Sequence, residues 1–185
     1  MINNKMTISE AFSLAVNHHQ NNDRTIASKI YNEILNLNPN HTPSLDNLGV
    51  LSYEKKNFKK ALEFFKRSVE INPNNDKVYN NLGVIYGELQ EKKKSLEFYK
   101  KALEINDNNI DALYNLGREL KISRNYLESK IYYEKALQVM PDNDKAAMGY
   151  GELLLAMNIQ SEGLKYVSKG AGVIIFTGTG LKINS

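Results

Sequence analysis

The sequence predicts an all-α protein built from about five helix-turn-helix repeats. The first observation is a leucine-glycine pair that recurs at one constant interval, at Leu48-Gly49, Leu82-Gly83 and Leu116-Gly117. Small residues keep the same interval at Ala61, Ser95 and Ser129, and aromatic residues keep it at Phe65, Tyr99 and Tyr133. Because apolar residues recur at repeat spacing, we expect the core to be a long, narrow seam.

Proline adds a further column in the same phase, at Pro39, Pro73 and Pro141, with Asp107 where the remaining member would fall. Together these columns resemble the tetratricopeptide repeat (TPR) over about Ile8 to Lys169, nearly the whole chain. The resemblance implies a right-handed solenoid of antiparallel helix pairs that acts as a protein-binding scaffold and not as an enzyme.

The expected organisation is a frayed N-terminus at residues 1–7, a repeat array at residues 8–170 and a separate tail at residues 171–185. The repeats are expected near residues 8–41, 42–75, 76–109, 110–143 and 144–170. Terminal repeats are commonly atypical because one of their faces has no neighbour, which fits the degenerate first repeat.

Helix signals justify each element in turn. The first repeat predicts helices over about Ile8–Gln20 and Arg24–Leu37. In the second, Thr42 is the expected cap, Pro43 fits the first turn, and Pro73 stops the second helix. The remaining predicted helices are about 42–54, 58–71, 76–90, 92–105, 110–123, 126–139, 144–157 and 161–169. The last is expected to be weak, because Gly163 and Gly170 stand where alanine is usual.

The tail is expected to be irregular or β-like, because Val173–Phe176 is β-branched and aromatic and has glycines on both sides. Two interpretations stay open for this apolar segment. It folds back over the open end of the fifth repeat, or it pairs with another copy to make a homodimer.

The composition of the chain limits the classes of function that we expect. The net charge of +3 is small and both signs are interspersed, which argues against a nucleic-acid surface. The chain has no cysteine, so neither disulfides nor thiolate chemistry are expected, and a reducing compartment is favoured. The segment Met1–Gln20 contains no continuous apolar run, so we expect neither a secretory signal nor a membrane span, and a cytoplasmic location.

Catalytic motifs are missing from the sequence. The three histidines, His18, His19 and His41, have no ligand spacing to a carboxylate cluster, so no metal is expected. Gly178-Thr179-Gly180 is rich in glycine, but no predicted helix follows it to bind phosphate. We therefore expect no catalytic residues and no cofactor.

One column suggests a binding surface. Asn47, Asn81 and Asn115 each precede a leucine-glycine pair, and the TPR resemblance places this column on the inner, concave face. A primary amide can pair with both the N–H and the C=O of a peptide backbone. First helices about 10 Å apart would meet about every third residue of an extended peptide. The pattern resembles the asparagine ladder of O-linked N-acetylglucosamine transferases, although Ser13 and Gly149 interrupt it at either end.

The same face is expected to carry Val50, Val84, Tyr114 and Arg118, a mixed apolar and basic lining that suits an extended peptide with apolar or acidic side chains. Chaperone-binding members of the family resemble one another in a two-carboxylate clamp. Of the clamp positions Phe12, Val16, Asn47, Lys77 and Asn81, only Asn47 and Lys77 fit, so this partner is disfavoured.

Three hypotheses follow. The first is a non-enzymatic adaptor that holds an extended peptide or a partner helix through Asn47, Val50, Asn81, Val84, Tyr114, Asn115 and Arg118. The second is a self-association module that dimerises through the tail. The third is the targeting part of a larger enzyme system, with the chemistry elsewhere.

Overall fold

The computed structural model describes residues 6–171, together with the backbone of residues 174–177 and 180–183. Within these residues the helices are α1 Ile8–Gln20, α2 Arg24–Leu37, α3 Thr42–Glu54, α4 Phe58–Ile71, α5 Asp76–Glu88, α6 Lys92–Ile105, α7 Ile110–Ile122, α8 Tyr126–Val139, α9 Asp144–Ala156 and α10 Gln160–Ala171. The strands are β1 Ile174–Thr177 and β2 Gly180–Ile183. The all-α fold class predicted from the sequence is confirmed. No helix in the described ranges combines the length and the apolar character needed to cross a membrane.

Contacts divide the chain into two units, Met1–Leu89 and Gln90–Ser185. In the first unit α1 pairs with α2, α3 pairs with α4, and α5 packs on α4. Its core is a run of buried side chains shared by α1, α2 and α3: Ala11, Ala15, Ala27, Ile30, Tyr31, Ile34, Leu48 and Leu51.

In the second unit α7 pairs with α8, α9 pairs with α10, and α8 also packs against α9. The α9–α10 pair corrects the expectation of a weak last helix. A Cβ atom placed on Gly151 would lie 2.6 Å from the backbone nitrogen of Val167 and 2.8 Å from the carbonyl oxygen of Gly163. Glycine therefore lets the two backbones touch, and α10 runs from Gln160 to Ala171, longer than the predicted 161–169.

The two strands pair antiparallel, with Ile174 opposite Ile183 and Thr177 opposite Gly180. The two interpretations offered for Val173–Phe176 concern side chains that lie outside the described residues. The same holds for residues 1–5 of the expected frayed N-terminus and for Gly178-Thr179.

The turn that follows the first helix of each repeat has the same backbone conformation. A non-glycine residue with φ between 56° and 67° recurs at the repeat interval, at Asn22, Lys56, Gln90, Arg124 and Asn158. In the α3–α4 turn, Lys56 N–H donates to the Tyr53 carbonyl (2.7 Å) and Asn57 N–H donates to the Ser52 carbonyl (2.9 Å). This is the Schellman ending of a helix. The following residue, Asn57, then caps α4, so a very short turn ends one helix and begins the next.

The residues that cap the N-terminus of the first helix in each repeat also recur at the repeat interval. Asn75, Asn109 and Asn143 accept the backbone N–H of the third residue along, at 3.3, 2.9 and 2.8 Å. At the start of α3 the residue in this phase is His41, whose Nδ1 accepts the Ser44 N–H at 3.3 Å. The expectation that Thr42 caps this helix is therefore wrong, since Thr42 is its first helical residue.

A carboxylate ties α3 to its neighbours in the first unit. Asp46 accepts a hydrogen bond from the Ser68 hydroxyl on α4 and another from Asn75 Nδ2 (2.9 Å), and Asn75 in turn caps α5. Burial raises the pKa of Asp46, although these two hydrogen bonds act in the opposite direction. Asn80, which occupies the same column in the next repeat, is also buried, so an amide is accommodated in this column.

We predict that Asp46→Asn changes how the free energy of unfolding depends on pH. Because the folded-state pKa is raised, Asp46 contributes stability that is fully present below its unfolded-state pKa and lost as the pH rises through the folded-state pKa. Asparagine does not titrate. Urea unfolding should therefore favour the variant over wild type increasingly from about pH 4 to about pH 7. A difference that stays constant across this range would contradict the raised pKa.

We predict that Lys56→Gly stabilises the protein by roughly 0.5–1 kcal/mol, because glycine adopts positive φ without the steric cost that a Cβ atom imposes. The control is Lys55→Gly. Lys55 has φ of −80°, so glycine there brings only its entropic cost and should lower the stability. Equal effects of the two substitutions in thermal unfolding would refute the assigned turn.

Candidate functional site

A cavity in the first unit lies between α3 and α5. It has a volume of about 250 Å³ and its lining is mainly apolar, with Val50, Tyr53 and Glu54 from α3, Phe65 from α4, and Asn81 and Val84 from α5. Three residues expected from the sequence, Val50, Asn81 and Val84, meet here. Residues three or four apart on a helix share a face, which explains why Val50 and Glu54, and Asn81 and Val84, point the same way.

The floor of this cavity is the ring of Phe65, which is 1% exposed. A Cβ atom on Gly49 would lie 2.5 Å from Phe65 Cε1, so only glycine lets the ring pack directly against α3. The sequence predicts Phe65 as a repeat column residue but not as part of a binding surface. A signal was available, because an aromatic residue follows the glycine at the same distance in each of the three clearest repeats.

The asparagines of the first unit differ in what they can offer a ligand. Asn47 Nδ2 donates to the Pro43 carbonyl of its own helix at 2.8 Å, and Asn47 does not line the cavity. Asn81 is half-buried in the cavity wall, and its amide makes no hydrogen bond with any residue that the structure describes. Asn81 is therefore the better placed of the two to pair with a peptide backbone.

Charge at the rim of the cavity is neutralised. Glu54 lies 3.0 Å from Arg24 Nε and 3.9 Å from His19 Nε2. No sequence pattern pointed to Glu54, since its partners come from another helix pair. The carboxylate is engaged by these two groups, so it does not make the cavity a strong cation site.

In the second unit Tyr114, Asn115 and Arg118 lie together on α7. Tyr114 is half-buried, and its ring packs edge-on against Tyr133 with 6.0 Å between ring centroids. This contact fixes the ring and leaves only part of its surface to a ligand. Asn115 is also half-buried and is already engaged in an interaction of its own.

The cations of this surface are paired with carboxylates. Arg118 Nη2 lies 3.2 Å from Glu119 Oε1, and Lys121 Nζ lies 2.5 Å from Glu152 Oε2 on α9. Burial alone would lower the pKa of Arg118, but the hydrogen bond it donates to Glu119 and the negative charge of that residue raise it overall. Both of these cations are therefore neutralised by carboxylates of the chain itself.

The asparagine column ends at Gly149 for a packing reason. A Cβ atom there would lie 2.7 Å from Tyr133 Cε1 and 2.9 Å from its hydroxyl oxygen. The Tyr133 side chain therefore occupies the space that a fourth asparagine would need. At the opposite end Ser13 is exposed, and its hydroxyl donates to the Ser9 carbonyl at 3.0 Å.

The three histidines singled out in the sequence all lie in the part of the chain that the structure describes. No group of three or more His, Cys, Asp or Glu side chains there is arranged to hold a metal ion. His18 Nδ1 is 3.1 Å from Asp23 Oδ2, a local contact between α1 and the turn that follows it.

Family models identify the repeats. One model, described as tetratricopeptide repeat, matches residues 47–75 and 76–109, and a second model with the same description matches residues 98–130. No curated protein sequence matches the chain.

Solved structures show the same fold. A crystal structure of MamA is 22% identical over 84% of this chain and 91% of MamA, with a TM-score of 0.71. YrrB, described as a TPR protein with an unusual peptide-binding site, is 19% identical over 90% of this chain and 86% of YrrB, with a TM-score of 0.67. PilF of Pseudomonas aeruginosa is 18% identical over 90% and 77% of the two chains, with a TM-score of 0.81. The fold class is that of the TPR solenoids.

We predict that Gly149→Asn, which would lengthen the asparagine column, lowers the free energy of unfolding by about 2 kcal/mol, because overpacking against a buried ring forces strain. The control is Ser13→Asn at the exposed opposite end, which should stay within about 0.5 kcal/mol of wild type. Chemical denaturation measures both. A Gly149→Asn variant as stable as wild type would show that Tyr133 does not fill this space.

Proposed function

We propose that this chain, which belongs to the tetratricopeptide-repeat family, is a protein-interaction scaffold that binds an extended peptide or a partner helix. The repeat boundaries expected from the sequence are part of the same proposal. The surfaces concerned are the α3–α5 cavity of the first unit and the α7 face of the second. The observation that carries the proposal is the Asn81 amide, which lies among the apolar walls of the cavity and has no hydrogen-bond partner among the described residues.

The cavity suits one apolar side chain of a ligand together with its backbone. Val50, Val84 and the Phe65 ring supply apolar surface, and burial of an aliphatic or aromatic side chain there would contribute about 1.5–3 kcal/mol. Asn81 offers two donors and an acceptor to the adjoining peptide group. The amide gives affinity for any backbone, and the apolar walls give the preference for a side chain.

The charges favour an apolar ligand segment over an acidic one. A peptide carboxylate would have to displace Glu119 from Arg118 or Glu152 from Lys121 before it gained an ion pair. Such an exchange yields little net free energy, because exposed ion pairs contribute about 0–1 kcal/mol. Of the two ligand classes expected from the sequence, we therefore favour the apolar one, with Tyr114 as a contact in the second unit.

The TPR fold is generally that of non-enzymatic scaffolds, and the peptide site named for YrrB supports a binding function by likeness of fold. We include in the proposal that the chain has no catalytic activity, binds no nucleic acid and works in the cytoplasm. The small net charge and the lack of cysteine support the last two points.

We predict that peptides selected from a random phage-displayed library on the purified chain are apolar, and that Asn81→Ala weakens their binding about two- to tenfold in calorimetry. The matched control is Asn47→Ala, which removes an amide already used inside its helix and should change affinity less than about twofold. Raising the salt from about 50 to 500 mM should have little effect, because no unpaired ligand charge is screened.

Two results would overturn this proposal. Selected peptides rich in Asp and Glu, with affinity that falls steeply with salt, would refute the apolar class. Unchanged affinity in both Asn81→Ala and Val84→Lys, the second of which places a charge in the cavity wall, would locate the site elsewhere.

A further inference from the structure

A second cavity of the first unit lies between α2, α3 and α4, and it shares no lining residue with the cavity that contains Asn81. Its volume is about 250 Å³ and its lining is mainly polar. The polar residues come from the three helices and from the turn between α3 and α4: Ser28, Asn32, Ser52, Lys55, Asn57 and Lys60. Two of them are cations, and none of the described residues that line the cavity is acidic.

The small size of Ser52 helps to open this cavity. In each of the three repeats that follow, the residue in phase with Ser52 is large and buried: Tyr86 and Leu120 are 5% exposed and Leu154 is fully buried. The Ser52 hydroxyl donates to the Leu48 carbonyl at 2.7 Å, so this side chain is held against its own helix. Packing in the later repeats thus uses a large apolar side chain at a position where the second repeat has a small polar one.

The cations of the cavity belong to a group of four lysines within six residues, at Lys55, Lys56, Lys59 and Lys60. Neither Lys55 nor Lys60 forms an ion pair with another residue that the structure describes. Two cations occupy these two positions in this repeat alone. The residues in phase in the other repeats are Asn21 and Ile26, Leu89 and Lys94, Ser123 and Glu128, and Met157 and Glu162.

The carboxylates that are near in sequence do not neutralise this charge. Glu54 lies 3.0 Å from Arg24 Nε and lines the other cavity. Glu63 follows Lys60 by about one turn on α4, but it does not line the cavity and makes no ion pair with a described residue. Glu33 does not line the cavity either, and it is engaged in an interaction of its own. The two ammonium groups are therefore available to an anion.

Other donors stand beside the two lysines. The half-buried Ser28 makes no side-chain hydrogen bond with a described residue. Asn57 Oδ1 accepts the Lys60 N–H at 3.2 Å, which leaves the amide nitrogen of Asn57 as a donor. A phosphomonoester carries a charge of about −1.5 to −2 at pH 7 and has three acceptor oxygens. It matches two cations and several donors better than a carboxylate does, because a carboxylate brings one charge and two oxygens.

We propose that this cavity binds the phosphoryl group of a phosphorylated serine or threonine side chain of a protein partner. The cavity has room for one phosphoryl group with its short stem, whereas a nucleic acid needs a groove that follows successive phosphates. The assignment of the ligand to a protein rests on the proposed scaffold function. The preference for a phosphoryl group rests on Lys55, Lys60 and the space beside Ser52.

A peptide library with a fixed central phosphoserine and random flanking residues, selected on the full chain, tests the proposal. We expect selected peptides to bind at least about tenfold more tightly than inorganic phosphate in calorimetry, and their unphosphorylated forms not to bind. Affinity should rise from about pH 5 to about pH 7, because the second phosphate pKa is about 6. Lys55→Ala combined with Lys60→Ala should weaken binding at least about tenfold.

The matched control is Lys92→Ala combined with Lys93→Ala, which removes the same charge from a lysine cluster on α6 and should change affinity less than about twofold. Ser52→Leu alters no charge but places in the cavity wall the residue type found at Leu120 and Leu154, and it should also weaken binding at least about tenfold. Thermal unfolding should show all variants folded. Asn81→Ala should leave phosphopeptide affinity unchanged, so a failure of the apolar peptide site is distinguishable from a failure here.

Four results would overturn the proposal. The first is a library in which no phosphopeptide binds more tightly than inorganic phosphate. The second is equal weakening by the two double-lysine variants, which would show an effect of net charge alone. The third is normal binding by a folded Ser52→Leu variant. The fourth is binding through Lys55 and Lys60 to phosphatidylcholine vesicles that contain phosphatidylinositol 4-phosphate, without binding of phosphopeptides, which would assign the cavity to a lipid headgroup.

Discussion

The contact between a glycine on the first helix of a pair and an aromatic ring on the second is the constraint on which the rest of the structure depends. Gly49 faces Phe65, and Gly117 faces Tyr133, where a Cβ atom would lie 3.3 Å from the ring. Because the ring is pressed against the first helix, the axes of the two helices lie close together. The same contact makes Phe65 the floor of the cavity, and the Tyr133 ring also reaches Gly149, where it ends the asparagine column. The contact between glycine and ring thus determines both the spacing of the two helices and the shape of the candidate binding surface.

Most of the fold could be predicted from the sequence because several residue types recur at the same interval. A wrong alignment of one repeat position is therefore corrected by the other positions. The predictions that failed rested on the propensity of single residues. Thr42 is a good cap by type, yet the cap lies at His41, the position in phase with Asn75. Gly163 is a poor helix former, yet it lies where α9 and α10 touch. In both cases the repeat interval decided the outcome, and local preference did not.

The candidate site was less predictable, because which residues share a face follows from helical periodicity, whereas which of them are already engaged does not. Asn47 and Asn81 occupy the same column, but of these two only Asn47 is hydrogen-bonded to its own helix among the described residues. By residue type, Lys121 could bind an acidic peptide. In the structure its ammonium group is already paired with Glu152, which lies far along the chain on α9. Such pairings depend on the distance between helices and on their relative rotation. A single sequence does not predict either quantity precisely enough to identify a hydrogen bond.

In a repeat protein, some positions need one residue type for packing and others accept several types. Comparing the repeats of one chain distinguishes the two kinds of position. In the columns of Gly49 and Phe65, glycine and an aromatic residue occur together in the three clearest repeats, and at Gly49 and Gly117 the ring packs directly against the first helix. The column of Ser52 holds a large buried side chain in the three repeats that follow, so packing accepts either size and the small polar residue on α3 has another origin. The same reasoning applies to Asn81, whose amide has no partner among the residues described here.

Some repeat positions are not constrained by packing. At such a position, a residue is informative about binding if its type differs from that in the other repeats. It is also informative if its polar group has no partner among the described residues. In this chain these criteria select the Asn81 amide in the wall of one cavity and Ser52, with Lys55 and Lys60, in the wall of another. The two cavities offer different chemistry, since an amide recognises a peptide backbone by hydrogen bonding whereas two ammonium groups recognise an anion by charge. Because neither feature contributes to the contacts that hold the helix pairs together, each can be altered by substitution without removing the other.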